Sequence, residues 1–239
     1  MKIINPPYLL LFLFFGSLAT AQEQTPSEIF DNIIALENTD LASGTEYIEL
    51  HIIRNNLHKY LESDRFVPGQ IVYDGQSFKD IPMKYNIYDD LLLVNLINSG
   101  GETTIKLHKE LVERFNLHGH TFINLRSPEE EQESETGGFY EIMLDTPSGL
   151  LLKKHVKKIL KHLDKNFTYY EFEPDDPKYV FFKDNTYYPF DSRRDLFKVF
   201  PDKEKMIRKY YRSNRSLARS NREQFLIQLS RNLQDSTSN

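Results

Sequence analysis

The 239-residue sequence contains no cysteine. It therefore has no disulfide framework, no thiolate nucleophile and no cysteine that a lipid could modify. A protein of this kind depends on its hydrophobic core for stability. The 17 phenylalanines and 14 tyrosines can build a large core, so a globular protein is expected rather than a disordered one.

The sequence also lacks the motifs of the common enzyme classes. It has no G-x-S-x-G, no H-E-x-x-H, no P-loop and no dinucleotide-binding glycine pattern. Carboxylate pairs occur at Asp89-Asp90 and Asp175-Asp176, but both fall at turn signals, where aspartate bonds nearby backbone groups. We therefore predict a protein that is not an enzyme, with no catalytic residue, no cofactor and no metal.

Long hydrophobic runs are confined to the beginning of the chain. Residues 1–21 combine Lys2, an apolar run from Tyr8 to Phe15 and the cleavage pattern Ala19-Thr20-Ala21. These are the parts of a secretory signal peptide, and the apolar run is too short to cross about 30 Å of hydrocarbon comfortably. We predict an exported protein that starts at Gln22 after cleavage and has no transmembrane span thereafter. Its expected location is the periplasm, the outer membrane or the extracellular space.

Charge is divided unevenly along the chain. Residues 22–150 hold 9 Lys/Arg and 23 Asp/Glu, whereas residues 151–239 hold 20 and 12. The basic half offers a surface for an envelope protein or an anionic envelope component, while an exported protein does not ordinarily meet nucleic acid. The alternative is that these charges form solvated helix faces without a partner.

The first half of the chain shows the alternation of β-strands. In residues 43–53, polar positions alternate with Ile48, Leu50 and Ile52, which predicts a strand. From Gly69 the pattern predicts three strands, with Asp74-Gly75 as a hairpin turn. Pro82 cannot donate a ladder hydrogen bond, so we place it on an edge strand or at a bulge.

Further strands follow after a short helical segment. The segment at 108–115, "HKELVERF", predicts one or two helical turns, and "FNLHGHTFINL" predicts two strands about Gly119. The acidic tract at 126–138 has no periodicity and predicts an exposed loop. Five more strands are predicted between 139 and 190, one of them spanning the whole of "LLLKKHVKKIL".

The pattern changes at Asp191, where short amphipathic helices are predicted. Asp191 or Ser192 is the expected N-cap, and Ser220-x-x-Glu223 matches a capping box. We predict an α+β protein, with an antiparallel β domain at 22–190 and a helical segment at 191–239. The β domain is expected to be a meander that curls into a partial barrel or a sandwich.

His118 and His120 form the sharpest candidate site. Two histidines at i and i+2 of a strand face the same side and can bind zinc, with His108 or Glu113 as a third ligand. The alternative is a hairpin turn at Gly119, which removes this geometry. The acidic run Glu129, Glu130, Glu131, Glu133 and Glu135 lacks the order of a calcium loop, so we expect a solvated loop there.

Two other groups of residues allow both structural and binding interpretations. The basic stretch either protects an edge strand from aggregation or binds anions; it contains Lys153, Lys154, His155, Lys157, Lys158, Lys161, His162 and Lys165. The tyrosine pairs Tyr169-Tyr170, Tyr187-Tyr188 and Tyr210-Tyr211 either stack on sugars or, as such patterns more often do, belong to the core and its rim.

An ordered set of motifs completes the pattern: "GTEY" at 44–47, "GQIVYDGQSFKDIPMKYNIYDD" at 69–90, "FNLHGHTFINL" at 115–125, "GGFYEIMLDTPSGLLLKKHVK" at 137–157 and "TYYPFDSRRDLFKVFPDKEKMIRKYYRSN" at 186–214. The chain resembles a family of uncharacterised exported proteins of Bacteroidota, which shows a G-x-V-x-Y-x-G hairpin, a GFYE strand and a helical tail. The resemblance implies source and compartment and transfers no catalytic residue.

Three functions follow as hypotheses. The first is a non-enzymatic binding or assembly accessory of the cell envelope, on the basis of export, missing catalytic motifs and divided charge. The second is a glycan- or ligand-binding β module. The third is a metal-dependent hydrolase built around His118 and His120.

Overall fold

The computed structural model describes residues 39–98, 101–125, 137–147 and 149–235. The predicted signal peptide and the glutamate run of the predicted acidic loop lie outside these residues.

Within the described residues the chain forms thirteen strands and four α-helices. The strands are β1 (Thr45–Glu46), β2 (Val67–Tyr73), β3 (Gln76–Asn86), β4 (Leu91–Asn98), β5 (Gly101–Lys106), β6 (Val112–Leu117), β7 (His120–Leu125), β8 (Gly138–Thr146), β9 (Gly149–Lys154), β10 (Lys157–Asp164), β11 (Phe167–Pro174), β12 (Lys178–Lys183) and β13 (Thr186–Phe190). The helices are α1 (Arg193–Val199), α2 (Glu204–Ser213), α3 (Arg215–Ser220) and α4 (Arg222–Asp235).

Eleven strands form one antiparallel sheet in the order β1-β5-β4-β3-β2-β6-β7-β8-β9-β12-β13, and β10 pairs with β11 in a separate ribbon. The described part of the sheet has β1 and β13 at its two ends, so it is open rather than a closed barrel. This architecture confirms the prediction of a mainly antiparallel α+β protein with a short helical C-terminal region.

Two predicted hairpins are confirmed in detail. Asp74 and Gly75 have φ angles of 48° and 77°, and His118 and Gly119 have φ angles of 52° and 80°. Two successive positive φ angles are typical of the type I′ turn, whose twist matches that of the strands it joins. Pro82 lies opposite Pro68, beside a register shift between Gly69 and Ile71, which agrees with its predicted place at a bulge.

The large sheet is strongly curled. The ring centroids of Tyr85 on β3 and Phe139 on β8 are 5.7 Å apart, although β2, β6 and β7 lie between these strands in the sheet. In a flat sheet, four strand spacings would separate them by about 19 Å. The curl encloses the first core cluster, which includes the buried aromatic residues Tyr73, Phe78, Tyr85, Phe115, Phe122 and Phe139.

Asp90 holds the curled sheet across its concave side. It lies in the turn between β3 and β4, where its Oδ1 accepts hydrogen bonds from the Tyr85 hydroxyl at 2.7 Å and from the Phe139 backbone N–H at 3.3 Å. Its Oδ2 pairs with Nζ of Lys109 at 2.6 Å and Nζ of Lys154 at 3.1 Å. One carboxylate therefore joins the β3–β4 turn to β8 and β9.

Gly138 is required by this arrangement. Its φ angle is 114°, and a Cβ atom at this position would lie 1.9 Å from Oδ2 of Asp90. Both the backbone conformation and the close approach of the carboxylate exclude a side chain at the start of β8.

The predicted strand at 43–53 is wrong after Glu46. Residues 47–52 run outside any named strand, and their apolar side faces solvent, with Leu50 82% exposed. The polar side turns inward instead, because Lys59 is buried and its Nζ needs carboxylate partners. Lys59 pairs with Glu49 at 2.9 Å and with Asp89 at 3.3 Å, which anchors this segment over the sheet.

Two further predictions are corrected by strand pairing. The predicted helix at 108–115 is a single 3₁₀ turn followed by β6, because Val112 and Phe115 pair with β2 and bury their side chains. The predicted single strand "LLLKKHVKKIL" is broken at His155 and Val156. Its first part is β9, in the large sheet, and its second part is β10, in the two-stranded ribbon.

The C-terminal helices pack on one end of the large sheet. Ser192 is the N-cap of α1 and forms a capping box with Asp195. It is one of the two residues that the sequence predicted for this cap. The predicted capping box at Ser220 is wrong, because the side chain of Asn221 accepts the bond from the Gln224 N–H. The second core cluster joins helix residues to β9, β12 and β13, and Phe225, Leu229 and Leu233 of α4 are buried in it. Within the described residues, none of the helices has the length and apolar content needed to span a bilayer.

We predict that Asp90→Asn will lower the free energy of unfolding by roughly 3 kcal/mol, because Lys109 and Lys154 lose their carboxylate partner while the left-handed backbone remains acceptable to asparagine. Asp74→Asn is the matched control, since Asp74 is also a turn aspartate with positive φ but its side chain is exposed. Urea unfolding of both variants checks this prediction. Equal stability of the two would contradict the role given to Asp90.

Candidate functional site

A cleft of about 580 Å³ opens between the large sheet, the segment at 56–62 and the β10–β11 ribbon. Its lining combines charged and apolar residues. The polar residues of the cleft include Glu62, His120, Lys153, His155, Lys157 and Glu223. The apolar residues of the cleft are Leu57, Leu61, Ile87, Val156, Phe172, Pro174 and Pro177.

Glu141 forms hydrogen bonds with two of the polar residues of the cleft and holds them in place. Its Oε1 lies 2.6 Å from Nδ1 of His120, and its Oε2 lies 2.7 Å from Nε2 of His155. Strand pairing produces this arrangement: Glu141 on β8 lies opposite Phe122 on β7 and Lys153 on β9, and His155 follows directly after β9. A single carboxylate therefore orients two imidazole rings at the edge of the cleft.

Glu62 shares His120 with Glu141 and also contacts His118. Its Oε1 lies 3.0 Å from Nε2 of His120, and its Oε2 lies 3.7 Å from Nδ1 of His118. Glu62 has a φ angle of 49°, which is uncommon for a residue other than glycine. Strained backbone of this kind collects at functional sites, because the surrounding structure must hold it in place.

Lys153 connects the cleft to the C-terminal helices. Its Nζ pairs with Glu223 at the beginning of α4 and lies 3.8 Å from Oε2 of Glu141. Its side chain is largely buried, so the pair fixes the position of α4 against β9 beside the cleft.

The charges of this network shift the pKa values of two of its members. Burial acts to raise the pKa of Glu141, but hydrogen bonds from His155 and His120 and their positive charge lower it to about 2. Burial acts to lower the pKa of His120, but the bonds and the negative charge of Glu141 and Glu62 raise it above its ordinary value. The network therefore favours the ionised form of Glu141 and the protonated form of His120.

The structure supports the hairpin alternative for His118 and His120. His118 lies in the type I′ turn and His120 begins β7, so the two rings do not have the i, i+2 arrangement of one strand. The proposed third ligands lie elsewhere: Nε2 of His108 is 3.0 Å from the Ser43 carbonyl oxygen, and Glu113 accepts a bond from the Gly75 N–H. In the part of the chain that the structure describes, no group of three or more His, Asp or Glu side chains is arranged to hold a metal ion.

The basic stretch is divided by the break between β9 and β10. Lys154 points to Asp90, and Lys157 donates to the Tyr60 carbonyl oxygen at 2.9 Å, so both have structural roles. Lys158 pairs with Glu173 across the β10–β11 ribbon at 3.3 Å. Only Lys153, His155, Val156 and Lys157 of this stretch line the cleft.

The tyrosine pairs lie outside the cleft lining and pack against other side chains. Tyr188 belongs to the second core cluster, and the ring of Tyr187 lies 4.8 Å from that of Phe182. Tyr210 and Tyr211 both contact Phe225, with centroid distances of 5.3 and 4.7 Å. These contacts support the interpretation that these tyrosines belong to the core and its rim.

Sequence reasoning did not find Glu62, Glu141 or Glu223. Glu62 and Glu223 come from parts of the chain that only the folded structure brings to β7 and β9. Glu141 was visible within the "GFYE" motif, but its two histidine partners are 21 and 14 residues away along the chain. Asp175, one of the predicted turn aspartates, lines the cleft and also bonds the Asp176 N–H through its side chain.

Comparisons of this chain with protein-family models, curated proteins and solved structures found no match. The resemblance to exported proteins of Bacteroidota therefore stays a prediction, and the function must be argued from the geometry of the cleft.

We predict that Glu141→Gln will lower the free energy of unfolding by about 1–3 kcal/mol near pH 5.5, because two imidazoles lose a charged acceptor. The folded-state pKa of Glu141 is below the ordinary 4.5, so its contribution is present above pH 4.5 and is lost as the pH falls towards 2. The pKa of His120 is raised above 6.5, so its contribution is present below pH 6.5 and is lost as the pH rises through the raised value.

Urea unfolding of the wild type and the variant at acidic, mildly acidic and alkaline pH measures this effect. The difference in stability should be largest at the middle pH. Glu46→Gln is the control, because Glu46 is also a strand glutamate but is exposed. A difference that does not change with pH would show that the histidines and Glu141 are not electrostatically coupled.

Proposed function

We propose that this protein is an exported, non-enzymatic binding protein of the cell envelope, and that its cleft holds a saccharide-sized ligand. The observation that carries the proposal is the mixed lining of the cleft, which combines charged groups with apolar residues. The predicted signal peptide supports export to the periplasm, the outer membrane or the extracellular space.

The dimensions of the cleft support a small ligand. Ligand sites in proteins usually enclose about 300–1,000 Å³. At about 580 Å³, this cleft has room for one or two sugar rings. Its walls come from the large sheet, the segment at 56–62 and the β10–β11 ribbon. The large sheet curls as a partial barrel would, and this curl brings its strands to the cleft.

The chemistry of the lining favours a sugar. A pyranose ring has an apolar face formed by C–H groups and an edge of hydroxyls that both donate and accept hydrogen bonds. The exposed Pro174 and the half-buried Val156 offer an apolar surface for the face, while Lys153 and His155 can donate and Glu62 can accept at the hydroxyl edge.

The hydrogen bonds of the histidines support binding rather than proton transfer. Both ring nitrogens of His120 face carboxylates of the chain, Glu141 on one side and Glu62 on the other. A general base needs a nitrogen within hydrogen-bond reach of the proton that it takes. Because both of its ring nitrogens are engaged, His120 serves to hold Glu141 and Glu62 in position at the cleft.

We predict that purified mature protein retains members of a glycan array and that Val156→Phe, which fills the cleft, weakens this binding at least about tenfold, because the ring removes space that the ligand needs. Leu163→Phe is the matched control, since Leu163 is apolar, 84% exposed and not among the cleft residues. Calorimetric titration with the glycans retained gives the affinities.

A blank array with folded wild-type protein would overturn the proposed ligand class. Equal affinities of the Val156→Phe and Leu163→Phe variants would place the binding outside the cleft. Thermal unfolding of both variants establishes that each is folded before its affinity is compared.

A further inference from the structure

Five arginines surround a second cavity, a groove of about 390 Å³ in the C-terminal helical region. The arginine groove is lined by Arg193 from α1, by Arg208, Tyr211 and Arg212 from α2, and by Arg215, Ala218 and Arg219 from α3. All five arginine side chains are exposed, so their guanidinium groups are accessible to a ligand in solution.

Four of these arginines come from the neighbouring helices α2 and α3. Arg208 and Arg212 are four residues apart on α2, and Arg215 and Arg219 are four residues apart on α3, so each pair lies on one face of its own helix. Asn214 separates the two helices with a φ angle of -117° and a ψ angle of 33°, and the groove brings both pairs together with Arg193 at the beginning of α1.

Few carboxylates of the described residues neutralise the positive charge of the arginine groove. Arg208 pairs with Glu204, one turn earlier on α2. Among the described residues, the other four arginines of the groove form no ion pair with a carboxylate within 4.0 Å. Residues 191–222 contain eleven Lys/Arg and four Asp/Glu, so this part of the chain carries a net charge of +7. Like charges gathered at one place repel one another, and a bound anion relieves that repulsion.

Aromatic rings hold two of the guanidinium groups in position. The guanidinium of Arg208 lies 4.6 Å from the ring centroid of Phe197, and that of Arg193 lies 5.8 Å from the ring of Tyr211. Such cation–π contacts limit the freedom of long side chains before a ligand arrives. Phe197 and Tyr211 also pack against the second core cluster, so the groove is attached to a rigid part of the fold.

We propose that the arginine groove is a binding site for a ligand that carries two or more closely spaced phosphate groups. Guanidinium groups form paired hydrogen bonds with phosphate oxygens, and each arginine keeps its charge at any physiological pH. The arginines of the groove, two from α2, two from α3 and one from α1, can contact several phosphates at the same time. A single monovalent anion uses only part of this arrangement, so affinity should rise with the number of phosphates.

This site is separate from the sugar cleft. Its lining shares no residue with the cleft, and it does not depend on the function proposed above. The phosphates have two chemical sources, the headgroups of an anionic lipid surface or a soluble phosphorylated molecule, and the probes below separate them.

The test uses the full mature chain and three probes. Inorganic phosphate and tripolyphosphate are titrated calorimetrically, and phosphatidylcholine vesicles with and without cardiolipin are used for co-sedimentation. We expect tripolyphosphate to bind at least about tenfold more tightly than phosphate, and its binding to weaken with added salt. Binding to tripolyphosphate but not to cardiolipin vesicles identifies a soluble ligand, whereas binding to cardiolipin vesicles identifies a lipid surface.

Charge-matched variants locate the binding. Arg212→Glu together with Arg215→Glu should reduce binding at least about tenfold, because two guanidinium contacts are lost. Lys205→Glu together with Lys209→Glu changes the net charge by the same amount on exposed residues outside the groove lining, and should have a much smaller effect. Arg212→Lys with Arg215→Lys keeps the charge but removes the planar fork, so an intermediate affinity is expected.

Three results would overturn the proposal. The first is the absence of binding to tripolyphosphate and to cardiolipin vesicles by the folded wild type. The second is an equal loss of affinity in the arginine and lysine charge-reversal variants, which would indicate attraction by net charge alone. The third is wild-type affinity in the arginine-to-lysine variant, which would show that the guanidinium geometry is not used.

Discussion

The structure depends first on the carboxylate of Asp90. Curling an open sheet brings distant strands together, and the contact needs a polar group that both sides can share. Asp90 accepts bonds from the hydroxyl of Tyr85 on its own side and from the backbone of Phe139 on the far side. Two lysines neutralise it, so a charge that would be costly in this position becomes a stabilising link. The absence of a side chain at Gly138 permits this approach, and the aromatic core lies directly beneath it.

The curl also explains why the cleft forms where it does. β7, β8 and β9 run side by side on the curled sheet, and Glu141, on the middle strand of the three, meets His120 and His155 from its neighbours. After β9 the chain leaves the large sheet at Val156 and continues into the β10–β11 ribbon, which contributes Phe172 and Pro174 to the apolar residues of the cleft. Glu141 has a pKa of about 2, so it stays ionised and keeps both imidazoles oriented over a wide pH range.

Local signals in the sequence predict the local structure well, and they fail where distant residues decide the outcome. The turns at Asp74-Gly75 and the cap at Ser192 depend on neighbouring residues alone, and both are confirmed. The alternation at residues 47–52 was misleading, because buried Lys59 attracts the polar side of the segment inward and leaves Leu50 exposed. Asp90 shows the same limit: its place in a turn was predictable, but its bonds to β8 and β9 were not. The cleft could not be predicted either. Glu62 and Glu141 lie 79 residues apart in the chain, and folding brings both carboxylates to the ring of His120.

The division of charge along the sequence has two different structural meanings. In the β9–β10 region, basic residues are matched by acidic residues of the first half of the chain: Lys154 meets Asp90, and His155 meets Glu141. The acidic and basic halves are thus partly one internal set of ion pairs, and this part of the imbalance calls for no external partner. The helical arginines are different, because Arg212, Arg215 and Arg219 line an exposed groove and form no ion pair with the described carboxylates. The arginine groove therefore gathers positive charge that the described carboxylates do not neutralise, and a bound anion would relieve the repulsion there.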